Sequence, residues 1–188
     1  PRKAIHGAQI DKVSGDYLDN STRLRNCFNV RNSRDCAYLT DAENCVDCYD
    51  VNDGGVSGGA ELLYECETSG EGVYSIMFSD MVMDKSANIC YSNMCTSSRE
   101  LFGCIGLRHA QYCILNKQYT PEEFKTERKK IITHMQTTEE WGEFFPIQCS
   151  PFAYNETLAQ EFFPLSPQEA ENMSYRWREH ENVSTTPR

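Results

Sequence analysis

Asn26-Cys27-Phe28-Asn29-Val30, Asp35-Cys36-Ala37-Tyr38-Leu39 and Asn44-Cys45-Val46-Asp47-Cys48 are successive versions of one phrase, nine residues apart. A second comb follows at Cys95, Cys104 and Cys113. The residues after the six cysteines are Phe28, Ala37, Val46, Thr96, Ile105 and Ile114, which are mostly apolar. A fixed short period is the signature of stacked repeats. About nine residues fit one strand and one corner at roughly 3.3 Å per residue. Two such units would close one coil of a solenoid that stacks parallel strands over a column of like side chains. The fold expected is therefore mainly β: a parallel β-solenoid of about nine residues per strand-and-corner unit, with a small α-helical and loop lobe at its C-terminal end.

The organisation read outward from the combs is a leader over 1–12, the cysteine-rich solenoid over 13–119, a helical and aromatic capping lobe over 120–178 and a disordered tail over 179–188. Asn, Asp and Ser between short apolar triplets read as corners, because their side chains bond nearby backbone and tolerate the left-handed region. The run from Asn52 to Gly59 holds four glycines and reads as a loop leaving the solenoid. Strand centres continue at Leu62-Leu63-Tyr64, Val73 to Phe78, Met81-Val82-Met83 and Ile89-Cys90-Tyr91. Thr120-Pro121-Glu122-Glu123 is a helix start, with a threonine cap, proline at the first position and glutamate three residues on. Phe124, Ile131, Ile132 and Met135 carry that helix to about residue 136, with Lys125, Arg128, Lys129 and Lys130 on a solvated face. Asn155 to Phe163 reads as a short helix, and Ser166-Pro167-Gln168-Glu169 as the start of another that runs to about Met173. The aromatics Trp141, Phe144, Phe145, Phe152, Tyr154, Phe162 and Phe163 are expected to cover the open end of the coil, whose bare strand edge would otherwise pair with other chains.

Of 188 residues 39% are hydrophobic, and the formal net charge is −10. That acidity repels a phosphate backbone and argues against nucleic acid as a partner. No apolar run approaches ~18 residues, so no membrane span is expected. The chain begins at Pro1, which reads as an excised segment or processed product of a larger protein.

Ten cysteines admit three chemistries: disulfides, a metal site, or a buried ladder of free thiols packing as small hydrophobes. The regular spacing favours a core ladder of Cys27, Cys36, Cys45, Cys95, Cys104 and Cys113. Cys45-Val46-Asp47-Cys48 is the one CxxC, and Cys45 with Cys48 is the metal candidate. Joint ligation would need a corner at Val46-Asp47, since residues three apart face opposite ways in a straight strand. Asp47, Asp50 and Asp53 beside the glycine loop form a candidate acidic groove for calcium or polysaccharide, although the spacing does not fit an EF-hand. Cys104 or Cys113 with His109 lacks an orienting third group and reads as a core cysteine beside a surface histidine. No catalytic constellation emerges and no cofactor is expected, zinc being the alternative.

Further strings carry a resemblance: Leu101-Phe102-Gly103-Cys104-Ile105-Gly106-Leu107-Arg108, Tyr112 to Thr120, Gly142 to Pro146, Ser150 to Thr157, Ala159 to Leu165 and Tyr175-Arg176-Trp177. Over about residues 13–178 the chain resembles an uncharacterised family of cysteine-rich repeat proteins of candidate-phyla, Patescibacteria-type bacteria. The resemblance implies architecture and bacterial origin, with a cytoplasmic location ahead of the cell surface, and no activity. Relatives often carry zinc-ribbon-like cysteine pairs outside this region, so no family zinc site passes to a residue here. Ser75, Ser86 and Ser98 stand where relatives have cysteine. The function expected is a noncatalytic scaffold or binding module for a protein or glycan. The alternatives are a structural zinc or thiol-redox domain and a polysaccharide-active β-helix.

Overall fold

The computed structural model describes residues 6–55 and 58–179, the side chain of Thr68 excepted. Among them twelve strands form one sheet: β1 (Gly7–Asp11), β2 (Gly15–Arg25), β3 (Cys27–Arg31), β4 (Arg34–Glu43), β5 (Cys45–Val46), β6 (Tyr49–Gly54), β7 (Ala60–Ser69), β8 (Val73–Val82), β9 (Ala87–Cys90), β10 (Arg99–Phe102), β11 (Gln111–Ile114) and β12 (Lys117–Gln118). All pair in parallel except the β11–β12 hairpin. The chain is a parallel β-solenoid of about nine turns with a small helical part at its C-terminal end.

The repeat within the solenoid is three residues, and the coil has four sides. From Leu18 to Val51 every third residue is buried or nearly so: Leu18, Ser21, Leu24, Cys27, Val30, Ser33, Cys36, Leu39, Ala42, Cys45, Cys48 and Val51. From Tyr17 to Asp53 every third residue has φ between +42° and +58°. Each side is thus one inward residue, one outward residue and one left-handed corner. Register partners such as Leu24 and Cys36, or Leu39 and Val51, lie twelve residues apart, which is four sides. The nine-residue comb is three sides of this coil, and the expected pair of nine-residue units per coil gives way to four three-residue sides.

Corner chemistry explains the composition. A left-handed residue costs roughly 1–2 kcal/mol for an ordinary side chain, and Asn and Asp relieve that by bonding locally. Asn20, Asn26, Asn29, Asn32, Asp35, Asp41, Asn44, Asp47, Asp50 and Asp53 all occupy corners. Stacked corners also bond one another: Asn20 Nδ2 donates to Asn32 Oδ1 at 2.9 Å, and Arg23 Nε to Asp35 Oδ1 at 2.5 Å.

Serine was expected at corners; Ser75 and Ser97 are found there, but Ser21, Ser33, Ser69, Ser79, Ser86, Ser92 and Ser98 lie inside instead. Tight corners leave inward-pointing backbone groups that need partners in a dry core. Ser21, Ser33, Ser79, Ser92 and Ser98 each donate Oγ to the carbonyl two residues back, at 2.7–2.9 Å. The same oxygens accept an N–H from the next coil: Ser33 N to Ser21, Cys45 N to Ser33, Cys104 N to Ser92. Cysteine repeats the donating half. Cys36, Cys48 and Cys66 Sγ reach the carbonyls of Arg34, Val46 and Tyr64 at 3.0, 3.2 and 3.3 Å. Ser92→Ala therefore orphans the Cys104 N–H and removes one of two donors to the Cys90 carbonyl, which keeps Gly103 N, and the expected loss is about 1–3 kcal/mol. Ser92→Cys, which keeps the donor, loses less; urea unfolding of the two variants checks the order.

The segment expected as a leader over 1–12 contributes the first strand, because β1 pairs with β2 from Gly7↔Leu18 to Asp11↔Thr22. Residues 1–5, and the tail but for Glu179, lie outside the described residues. At the far end the last coil closes on itself. β12 folds back on β11, and the Asn116 side chain imitates a strand: Ile105 N donates to its Oδ1 at 2.8 Å and its Nδ2 donates to the Ile105 carbonyl at 2.9 Å.

The first helix, α1 (Pro121–Thr137), starts at the capping box read from Thr120 and Glu123. It packs along one outward side of the last coils, not across their end: Phe124, Ile131, Ile132 and Met135 cluster with Phe78, Cys90, Tyr91, Phe102 and Ile114. The chain divides into compact units at Phe144/Phe145, so α1 and Trp141 belong with the solenoid. The second unit holds α2 (Leu158–Phe162) and α3 (Pro167–Asn172), the latter with the expected Ser166–Glu169 capping box. Tyr154 and Tyr175 stack at 5.0 Å within it, and Ala153 and Ala170 are buried. Phe152, Phe162 and Phe163 are exposed.

Candidate functional site

The six comb cysteines are all buried, but they do not share a column. A step of nine is one coil less one side, so Cys27, Cys36 and Cys45 line three different sides of the core. The comb is a diagonal path: Cys36 Sγ lies 3.6 Å from the Cys45 carbonyl, and Cys104 Sγ 3.3 Å from that of Cys113. The expected ladder of stacked thiols is thereby replaced by a spiral of thiol-to-carbonyl contacts.

Asp47 is a corner, with φ of 53°, so Cys45 and Cys48 both point inward. Cys36 sits one coil away on the Cys48 side, as the register Ala37↔Tyr49 requires. Hydrogen bonding to Cys48, together with burial, pushes the Cys36 pKa far up. The Cys36 contact works downward on Cys48, but contact with Cys45 and burial outweigh it and push Cys48 up to about 12. Burial likewise pushes Cys66 up to about 12 and is the leading cause of raised values at Cys27, Cys90, Cys95, Cys104 and Cys113. Zinc binds thiolates, usually four donors in a tetrahedron. Cys36, Cys45 and Cys48 are three buried donors turned to backbone carbonyls, one short of that set. Among the described residues no group of three or more His, Cys, Asp or Glu is arranged to hold a metal ion.

Asp47, Asp50 and Asp53 occupy three successive corners of one coil and point from three different edges of the rod. The structure does not bring them together into a groove. His109 is likewise a corner residue, and Cys104 is fully buried in the core.

The side that carries α1 holds a feature that the sequence reading missed. Six rings run along the rod: Tyr38, Tyr49, Tyr64, Phe78, Tyr91 and Phe102, with successive centroids 5.2, 5.4, 5.4, 4.8 and 5.6 Å apart. The last three are 3%, 7% and 4% exposed, beneath α1 and Trp141. The first three are 40%, 37% and 37% exposed. Trp141 closes on Phe78 and Tyr91 at 6.2 and 5.8 Å, and Gly142 N donates to Tyr91 Oη at 3.0 Å. The open rings present mostly edges, because Tyr49 and Tyr64 stack on each other at 15° and the Arg25 guanidinium lies 5.1 Å over Tyr38. A sugar that needs a bare ring face finds little here.

The corners beside these rings are acidic. Asp50 follows Tyr49, Glu65 follows Tyr64, and the register Tyr49↔Tyr64 stacks the two carboxylates on neighbouring coils. Burial first, then the charges of Asp50 and Glu143, raise the Glu65 pKa against a hydrogen bond from Tyr64. Among the described residues no cation forms an ion pair with Asp50, Glu65 or Glu143.

No helix of the described residues is long and apolar enough to cross a membrane. No protein-family model matches the chain, and no curated protein is significantly similar to it.

Proposed function

We propose that the chain is a noncatalytic β-solenoid scaffold or binding module that presents its outer sides to a protein partner. The observation that carries this reading is the use to which the interior chemistry is put. Buried hydroxyls and thiols face the carbonyls two residues back, and Cys36, Cys48 and Cys66 are held protonated, so they are spent on the fold rather than aimed at a substrate. A metal or redox role for Cys45 and Cys48 has less support, because a reactive cysteine needs a lowered pKa and access. Free thiols throughout suit a reducing compartment, in keeping with a cytoplasmic member of the cysteine-rich bacterial family that the sequence resembles.

The test is a thiol count with a chromogenic disulfide at pH 7.5. The expected result is one fast thiol in the native chain, the exposed Cys149, and ten after unfolding. Several fast native thiols, or stoichiometric zinc that protects Cys45 and Cys48 and leaves with a chelator, would overturn the scaffold reading.

A further inference from the structure

The half-covered aromatic side defines its missing occupant more closely than a general binding module does, and this inference rests on that reading. Outward positions along this side are Arg25, Ala37, Tyr49, Tyr64, Met77, Cys90, Phe102 and Ile114, one per coil. Over the last coils a helix already lies along the column with its apolar stripe on the rings. The flat outward face of parallel strands, three residues wide, is continuous from the covered to the open half. A surface that one helix fits by shape fits another of the same kind.

Charge says which kind. The open half is rimmed by Asp50, Glu65 and Glu143, like charges that repel one another and form no ion pair among the described residues. Placing such groups together costs free energy unless a positive group joins them. Arg25 over Tyr38 shows what a guanidinium does on this strip, lying on a ring face beside the rod.

We propose that the open half of this side, centred on Tyr38, Tyr49 and Tyr64, docks an amphipathic helix of a partner protein whose apolar stripe is flanked by arginine or lysine. Four coils from Arg25 to Tyr64 span about 14 Å at the strand spacing, which matches about ten helical residues at 1.5 Å each. So short a contact gives micromolar affinity rather than a permanent complex. The guanidinium groups pair with Asp50 and Glu65, while leucine or phenylalanine anchors pack on the ring edges, as Phe124 and Ile131 do further along.

The experiment uses the full chain and a labelled twelve-residue helical peptide with leucine at i, i+3, i+4 and i+7 and arginine on both flanks. Its counterpart carries glutamate for arginine. Fluorescence anisotropy is expected to show micromolar binding of the arginine peptide and at least tenfold weaker binding of the glutamate peptide. Tyr49→Ser with Tyr64→Ser is expected to weaken binding tenfold or more. Asp50→Asn with Glu65→Gln, which leaves the rings in place, is expected to weaken it about fivefold, while Asp41→Asn with Asp53→Asn at another corner leaves it unchanged. Circular dichroism confirms that each variant is folded. Absence of binding, equal binding of the two peptides, or equal loss at Asp41 and Asp53 would overturn the docking site, the last as mere attraction to an acidic chain. A second unit of the same chain seated on the strip would show as absent binding and also overturn it. None of these outcomes changes the native thiol count, so failure here is distinct from failure of the scaffold reading.

Discussion

An alanine inserted between Tyr38 and Leu39 is expected to cost at least about 3 kcal/mol, while one inserted between Gly70 and Glu71 costs less than about 1 kcal/mol. The difference comes from where the coil tolerates irregularity. From Leu18 to Gly54 the inward residues are three apart without exception, and the same spacing runs from Ser86 to Cys113. The breaks fall between Gly54 and Ala60, between Ser69 and Val73 and between Val82 and Ser86. All three lie at the same corner of the four. That corner is rich in glycine, with φ of 75° at Gly55, 79° at Gly59 and 65° at Gly72, so extra residues leave the rod without strain. It is also bonded across the irregular coils: Gly72 N donates to the Gly59 carbonyl at 2.9 Å, and Lys85 N to that of Glu71 at 2.8 Å.

The corner at Tyr38 has no such freedom. It lies inside β4, which pairs with β2 and β3 on one coil and with β5 and β6 on the next. An extra residue there must either bulge or pass the shift along the coil. Passing it along turns the new alanine, Asp41, Asn44 and Asp47 inward in place of Leu39, Ala42, Cys45 and Cys48. Bulging leaves at least two buried backbone groups unpaired, at about 1–3 kcal/mol each. Urea unfolding of the two insertion variants reads the difference, and equal loss at both sites would show that the four corners are equivalent.

The solenoid was legible because cysteine is conspicuous, and its coil was misjudged for the same reason. Nine is a multiple of three, so cysteines at every third inward position marked the period only by its alias. The true period is written in Leu18, Ser21, Leu24, Cys27, Val30 and Ser33, but a repeat of three matches neither the alternation of a flat strand nor the 3.6 of a helix. Serine hid it further, since a hydroxyl normally signals a surface turn and here bridges coils inside. Asp47, Asp50 and Asp53 displayed the corner period in the open, and a calcium loop competed for the same carboxylates. Helix α1 was read to within a residue because its start is local chemistry, a cap and a proline. The aromatic side was not readable: its rings are 11 to 15 residues apart and mix outward with corner positions. Only the register, with its extra residues at one corner, lines them up.

The interior thiols make the fold sensitive to alkali, and the expected result is cooperative unfolding between about pH 9.5 and 11 under reducing conditions. A thiol in the unfolded chain ionises near its ordinary value of 9.0. In the folded chain Cys48 and Cys66 are pushed up to about 12, and Cys36 is also raised far above the ordinary value. Folded values above unfolded ones mean that the stabilisation is complete below pH 9. It is lost as pH rises from 9 towards 12, because the unfolded state then gives up protons that the native state keeps. Each such thiol loses on the order of 1 kcal/mol per pH unit above 9. Cys36, Cys48 and Cys66 act in the same direction, so together they remove several kcal/mol by pH 11. A domain of this size has roughly 5–15 kcal/mol to lose. The control is the triple variant Cys36→Ser, Cys48→Ser, Cys66→Ser. A hydroxyl does not ionise in this range, and it can make the same bond to the carbonyl two residues back that Ser33 and Ser92 make at 2.7 and 2.9 Å. The variant is expected to stay folded at pH 7 and to unfold about one pH unit higher than the parent, followed by circular dichroism. An unchanged midpoint would assign alkaline unfolding to the tyrosines and lysines of the surface, and would mean that the buried thiols are no more protected than thiols in water.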